Sequence, residues 1–120
     1  MQLAKNILLI QVKSKDSERG NRNMIGIMVQ LYPKKGHEDL VQDEMRKFAS
    51  TCVANEVGTL MYTIVKDEAG ILGTMELYLD EEALQVHAKT DYHDELGVLL
   101  KPYVEKASVK RLHVLHHPTV

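Results

Sequence analysis

The chain has 120 residues, 44% hydrophobic and 27% charged, with a formal net charge of -2; a chain of this length folds around a single core and buries roughly two-thirds of its unfolded surface. Its acids and bases are dispersed and it has no Trp, so it offers no basic stripe and few stacking platforms for nucleic acid. The single Cys52, the lack of a cleavable leader pattern at the amino end and an "ILLI" run too short to span a bilayer point to a soluble cytoplasmic protein with no membrane partner.

In chain order, "NILLIQVK" has the apolar, β-branched character of a strand, and four consecutive apolar residues within Ile7 to Val12 call for pairing at a sheet edge. The polar stretch "SKDSERGNRN" is a loop. "MIGIMVQLY" is a second strand, with Ile25, Ile27, Val29 and Leu31 on one face and Met24, Gly26 and Met28 on the other. "PKKG" breaks the chain before a helix from Glu38, whose apolar residues Val41, Met45, Phe48, Ala49, Cys52 and Val53 fall on helical spacing. "NEVG" stops it. "TLMYTIVKDEAGILGTMELYLD" reads as a hairpin turning at Asp67 to Gly70. In its second strand Ile71, Met75, Leu77 and Leu79 share one face, and Thr74, Glu76 and Tyr78 the other. Asp80 caps a helix to about Lys89, a short helix runs from Asp91 to near Pro102, and "SVKRLHVLHH" is the last strand.

Apart from the first strand, this order is β-α-β-β-α(α)-β: an α+β, ferredoxin-like antiparallel sheet with helices on one face. One helical layer covers one side of such a sheet, so the apolar second face predicts a homodimer with face-to-face sheets. Three segments follow: an N-terminal strand and polar loop over 1–23, the main domain over 24–115, and a tail over 116–120.

The stretches "MIGIMVQLYPKKGHEDL", "NEVGTLMYTIVKDEAGILGTMELYLDEEAL" with a following histidine, and the final strand resemble the antibiotic biosynthesis monooxygenase family of dimeric α/β barrels, of the quinol monooxygenase kind. The resemblance spans about Met24 to Leu115. It implies a cavity between helices and sheet in which an electron-rich aromatic, quinol or polyketide-like substrate, held as its anion, reduces dioxygen with neither metal nor flavin. The protein then supplies deprotonation, orientation and exclusion of water. The family's histidine after "EAL" falls on His87, which the resemblance sets facing the cavity. Tyr78 in "ELY" stands where many members carry Trp, which argues against haem degradation.

His87, Tyr78 and Glu76 are thus the candidate catalytic residues, with Tyr62, Asn55, His93 and Met28 as candidate substrate contacts. Each also has a structural reading: His87 as a core histidine satisfied by a carbonyl or a sheet side chain, Glu76 and Tyr78 as a half-exposed pair on one strand with a cross-strand partner, Asn55 as a helix C-cap, the methionines as core filler. No metal site is expected from "HVLHH", because His113 and His116 point to opposite faces of a strand and no Cys or Glu completes a set. A cofactor-free isomerase or cyclase, and a non-catalytic ligand-binding or dimerisation module, are the alternative functions for this fold.

Overall fold

The computed structural model describes residues 23–118; the expected strand Ile7 to Val12 lies outside the described residues. The elements are β1 (Ile25–Pro33), α1 (Glu38–Asn55), β2 (Thr59–Lys66), β3 (Leu72–Tyr78), α2 (Glu81–Ala88), α3 (Asp91–Leu100) and β4 (Val104–His113). The strands make one sheet in the order β2-β3-β1-β4 with every neighbouring pair antiparallel, which is the ferredoxin-like α+β topology.

Each element follows from local chemistry. Gly36, at φ +90, turns the chain into α1, and its N–H donates to Glu38 Oε1 at 2.7 Å. Val41, Met45, Phe48, Ala49 and Cys52 recur every three or four residues and are all buried. At the hairpin, Asp67 Oδ1 accepts from the N–H groups of Ala69 and Ile71, and Gly70 takes the positive φ that closes the turn. Asp80 caps α2 by accepting from Ala83 N at 2.8 Å, and Thr90 caps α3 by accepting from His93 N.

The register decides which side chains meet the helices. β1 pairs with β3 so that Ile25, Ile27, Val29 and Leu31 stand opposite Tyr78, Glu76, Thr74 and Leu72. Two apolar clusters form on this face, one around Leu31, Val41, Met45, Leu72 and Leu100, the other around Ile25, Ile27, Tyr78 and Ala83, with Val29 touching both. Glu56, Thr59, Thr74, Glu76 and His87 are buried as well. On the opposite face the cross-strand partners Met28 and Met75, together with Leu112, remain exposed.

Two boundaries differ from the sequence reading. β4 begins four residues earlier than expected, at Val104, because it pairs with Pro33 at the far end of β1, and it stops at His113 because its partner there, Ile25, begins β1. Leu115 lies beyond the ladder and is exposed. Met24 precedes β1 and is buried, rather than sharing the outer face with Met28.

Between α1 and β2, Gly58 runs so close to α2 that a Cβ built there would lie 2.3 Å from Ala83 Cβ, while its carbonyl accepts from Leu79 N at 2.9 Å. Gly58→Ala must therefore push α2 off the sheet. The expected cost is about 1–3 kcal/mol in a denaturant midpoint at unchanged slope; a midpoint equal to that of the parent chain contradicts this contact.

Candidate functional site

The site is built where α1 ends. Glu56 is the C-cap residue, in extended conformation, and its N–H donates to Cys52 O at 2.9 Å. This backbone turns the side chain inward until only 4% of the residue is exposed. Three elements then supply donors to the carboxylate. Thr59 Oγ1, from the start of β2, donates to Oε1 at 2.6 Å; His87 Nδ1, from the last turn of α2, lies 2.9 Å from the same oxygen; the Tyr92 hydroxyl, from the first turn of α3, donates to Oε2.

A second buried carboxylate, Glu76, accepts from Thr74 Oγ1 and from the Tyr78 hydroxyl, the latter at 2.5 Å. These three share a face of β3, where strand alternation places them. The His87 imidazole joins the two groups. It bonds Glu56 directly, and its ring centroid lies 5.2 Å from that of Tyr78, 5.6 Å from Tyr62, 5.8 Å from Phe48 and 5.1 Å from His93.

Proton affinities in this enclosure follow from its burial and its two acids. For Glu56, burial alone would raise the carboxyl, but the hydrogen bonds from His87, Thr59 and Tyr92 outweigh it and bring the pKa down to about 2. Burial, reinforced by the Glu76 carboxylate, pushes Tyr62 and Tyr78 up, and burial with the Glu56 hydrogen bond does the same for Tyr92. These phenols stay protonated. His93 is shifted down by burial and then by the proximity of His87, which favours its neutral form.

A cavity of about 490 Å³ opens beside this cluster, between the helices and the sheet. Its walls are mainly apolar, among them Val29, Met45, Leu96 and Val109, and Tyr62 and His93 are set into them. His87 is not part of the wall. At 4% exposure it sits one ring behind, screened by side chains that do line the cavity: Tyr62, Phe48 and His93. The imidazole expected to face the cavity is thus reached through its neighbours, because its Nδ1 is bonded to Glu56 at the end of α1 and the rings of Phe48, Tyr62 and His93 stand around it.

Of the residues singled out from the sequence, the structure brings together His87, Tyr78, Glu76, Tyr62 and His93. Asn55 is exposed and its side-chain amide donates to Thr51 O at 2.8 Å, so it belongs to the end of α1 and not to the cavity. Met28 lies on the other face of the sheet, as the strand alternation itself requires. Sequence reasoning passed over Glu56, Thr59, Tyr92 and the screening role of Phe48. A signal for Glu56 was present: it is an acid directly after a helix C-terminus, where the helix dipole disfavours one, and the last turn holds no basic residue.

Cys52 Sγ, Glu56 and His87 place one ligand atom each within 4.8 Å of one another. Burial, then the Glu56 charge, pushes the Cys52 thiol far up, and Glu56 and His87 are bonded to each other.

The family model described as antibiotic biosynthesis monooxygenase matches residues 24–96. Among solved structures, the fold is similar to that of a Caulobacter crescentus protein whose suggested activity is antibiotic biosynthesis monooxygenase: 23% identity, TM-score 0.75, covering 86% of this chain and 99% of that one. A Bacteroides thetaiotaomicron protein with the same suggested activity matches at 15% identity and TM-score 0.74, over 81% and 94% of the two chains. A Mycobacterium tuberculosis protein matches at 14% identity and TM-score 0.74, over 80% and 99%. No curated protein matches the chain in sequence.

The depressed Glu56 carboxyl sets a pH dependence. Since its folded value, about 2, lies below the ordinary 4.5, the unfolded chain binds more protons in this window; the contribution is complete above the ordinary value and is lost as pH falls toward the folded one. It is on the order of 3 kcal/mol. Glu56→Gln should be less stable than the parent at neutral pH, yet lose less stability on acidification from about pH 6 to about pH 3. Equal acid slopes for the two proteins, by denaturant titration, would show that Glu56 is not the group responsible.

Proposed function

This chain belongs to the antibiotic biosynthesis monooxygenase family, and from that premise we propose that it is a cofactor-independent monooxygenase acting on an aromatic, quinol or polyketide-like small molecule with dioxygen. The observation that carries the reading is the apolar cavity with His93 and Tyr62 in its wall and the Glu56-anchored His87 directly behind. A flat phenol or hydroquinone lies in this cavity against His93 and the Tyr62 hydroxyl. Its proton passes to the histidine pair. The resulting anion gives up electrons to dioxygen, one oxygen atom enters the substrate, and the other leaves as water with two protons. The apolar walls keep bulk water from the anion. Glu76, held by Thr74 and Tyr78, keeps those hydroxyls committed, so that the Tyr62 phenol and the His93 imidazole are the groups of this cluster that reach the cavity wall.

A non-catalytic ligand-binding module of the same fold is the second reading, favoured by the enclosure of His87. We also place the protein in the cytoplasm, where a single buried thiol at Cys52 stays reduced. For the exposed face carrying Met28, Met75 and Leu112 we propose a second copy of the chain as the cover, closing a dimeric barrel.

His87→Gln separates the two readings, because the amide can still donate to Glu56 while it cannot take a proton. Oxygen consumption on a panel of anthrones and quinols, in metal-stripped and flavin-free buffer, should fall by ~10²–10⁴ with melting close to that of the parent. Oxidation at parental rate refutes the catalytic role. The dimer is checked by sedimentation at micromolar protein, where a monomer would remove it.

A further inference from the structure

Glu56 is buried where neither solvent nor the local dipole favours an anion. It closes α1, whose carbonyl end carries the negative pole of the helix, and no basic residue stands in the last turn to offset it. Yet the side chain is held as a carboxylate, and all its side-chain neighbours within hydrogen-bond distance are donors or a ring nitrogen able to donate.

That arrangement has a consequence for His87. A carboxylate accepts and cannot donate, so the hydrogen shared at 2.9 Å belongs to the imidazole, and Nδ1 carries it. In a neutral ring the other nitrogen, Nε2, then holds the lone pair. Thr59 and Tyr92 make the constraint firm. By donating to Oε1 and Oε2 they hold the carboxylate in place, and the Asp80 cap fixes the helix that presents His87.

We propose that Glu56 is the positioning residue of this site: it fixes His87 as the Nδ1–H tautomer, so that Nε2 is the nitrogen that takes the substrate's proton by way of the cavity-lining His93, and it stands as the counter-charge once that proton has arrived. The proposal deepens the monooxygenase reading and rests on it for the source of the proton. Glu56 does not line the cavity, so it acts through His87 and not on the substrate. A purely structural Glu56 would hold the same Nδ1–H, but its replacement by an amide that still bonds the ring would leave kcat at the parental value.

Two measurements on the full chain test the tautomer and then the role. In ¹⁵N-labelled parent protein, long-range proton–nitrogen spectra at neutral pH should show the His87 Nδ1 protonated and Nε2 unprotonated. In Glu56→Gln, whose amide can accept or donate, this preference should weaken. On an anthrone or quinol that the parent oxidises, kcat of Glu56→Gln should drop, by up to roughly 10⁴-fold, with KM little changed. A protonated Nε2 in the parent overturns the proposal, and so does a Gln variant with parental kcat or with a raised KM alone. The parental spectrum needs no variant, so a Gln protein that fails to fold still leaves the proposal open to refutation. A parent that oxidises nothing on the panel removes the monooxygenase reading, while the ring spectrum continues to judge the tautomer.

Discussion

Glu56 lies inside this protein as a carboxylate because three separate elements bring donors to it. Leaving one such group unpaired in an interior costs several kcal/mol, so the positions of the β2 start, the α2 end and the α3 start are not independent choices. Thr59, His87 and Tyr92 must arrive together at Glu56. The close approach of Gly58 to Ala83 is part of the same constraint, since it is what lets α2 settle against the turn that carries Glu56.

The helix-side face of the sheet is divided accordingly. Apolar clusters around Leu31 and Leu72 and around Ile25 and Tyr78 hold the layers together. The buried acids and hydroxyls of the site have no hydrophobic contribution to make, and none of the described buried side-chain nitrogens or oxygens is left without a partner. A satisfied polar network of this kind fixes one arrangement where an apolar filling would tolerate several. Tyr78 belongs to both parts, its ring in the apolar cluster and its hydroxyl on Glu76.

Much of this was legible before any coordinates. Alternation along β3 put Thr74, Glu76 and Tyr78 on one side, and the helical spacing from Val41 to Cys52 defined α1, because both periods are consequences of backbone geometry. The family resemblance picked out His87. Glu56 escaped because it sits in a connection, where no period tells which way a side chain turns; its neighbour Asn55 was chosen instead and faces outward. Met28 shows the opposite error: its adaptable side chain suited a cavity, but its parity had already set it on the far face. The depth of His87 depends on rings and a carboxylate brought to it from α1, β2, β3 and α3, a tertiary fact that no single segment encodes.

α3 meets the rest of the chain differently from its neighbours. Only Leu100 of this helix is fully buried, Leu96 adds a partial contact, and Tyr92 ties its first turn to Glu56. His87, by contrast, bonds Glu56 from α2 without any help from α3. A local opening of α3 would therefore trade the Tyr92 hydroxyl bond for water and widen the cavity along Leu96, Gly97 and Leu100, while the imidazole and its carboxylate stayed paired. Amide exchange in this helix then belongs to the low-stability end of the molecule. Such an opening would carry His93 away from the His87 ring while leaving the His87–Glu56 bond, which uses no atom of α3, in place.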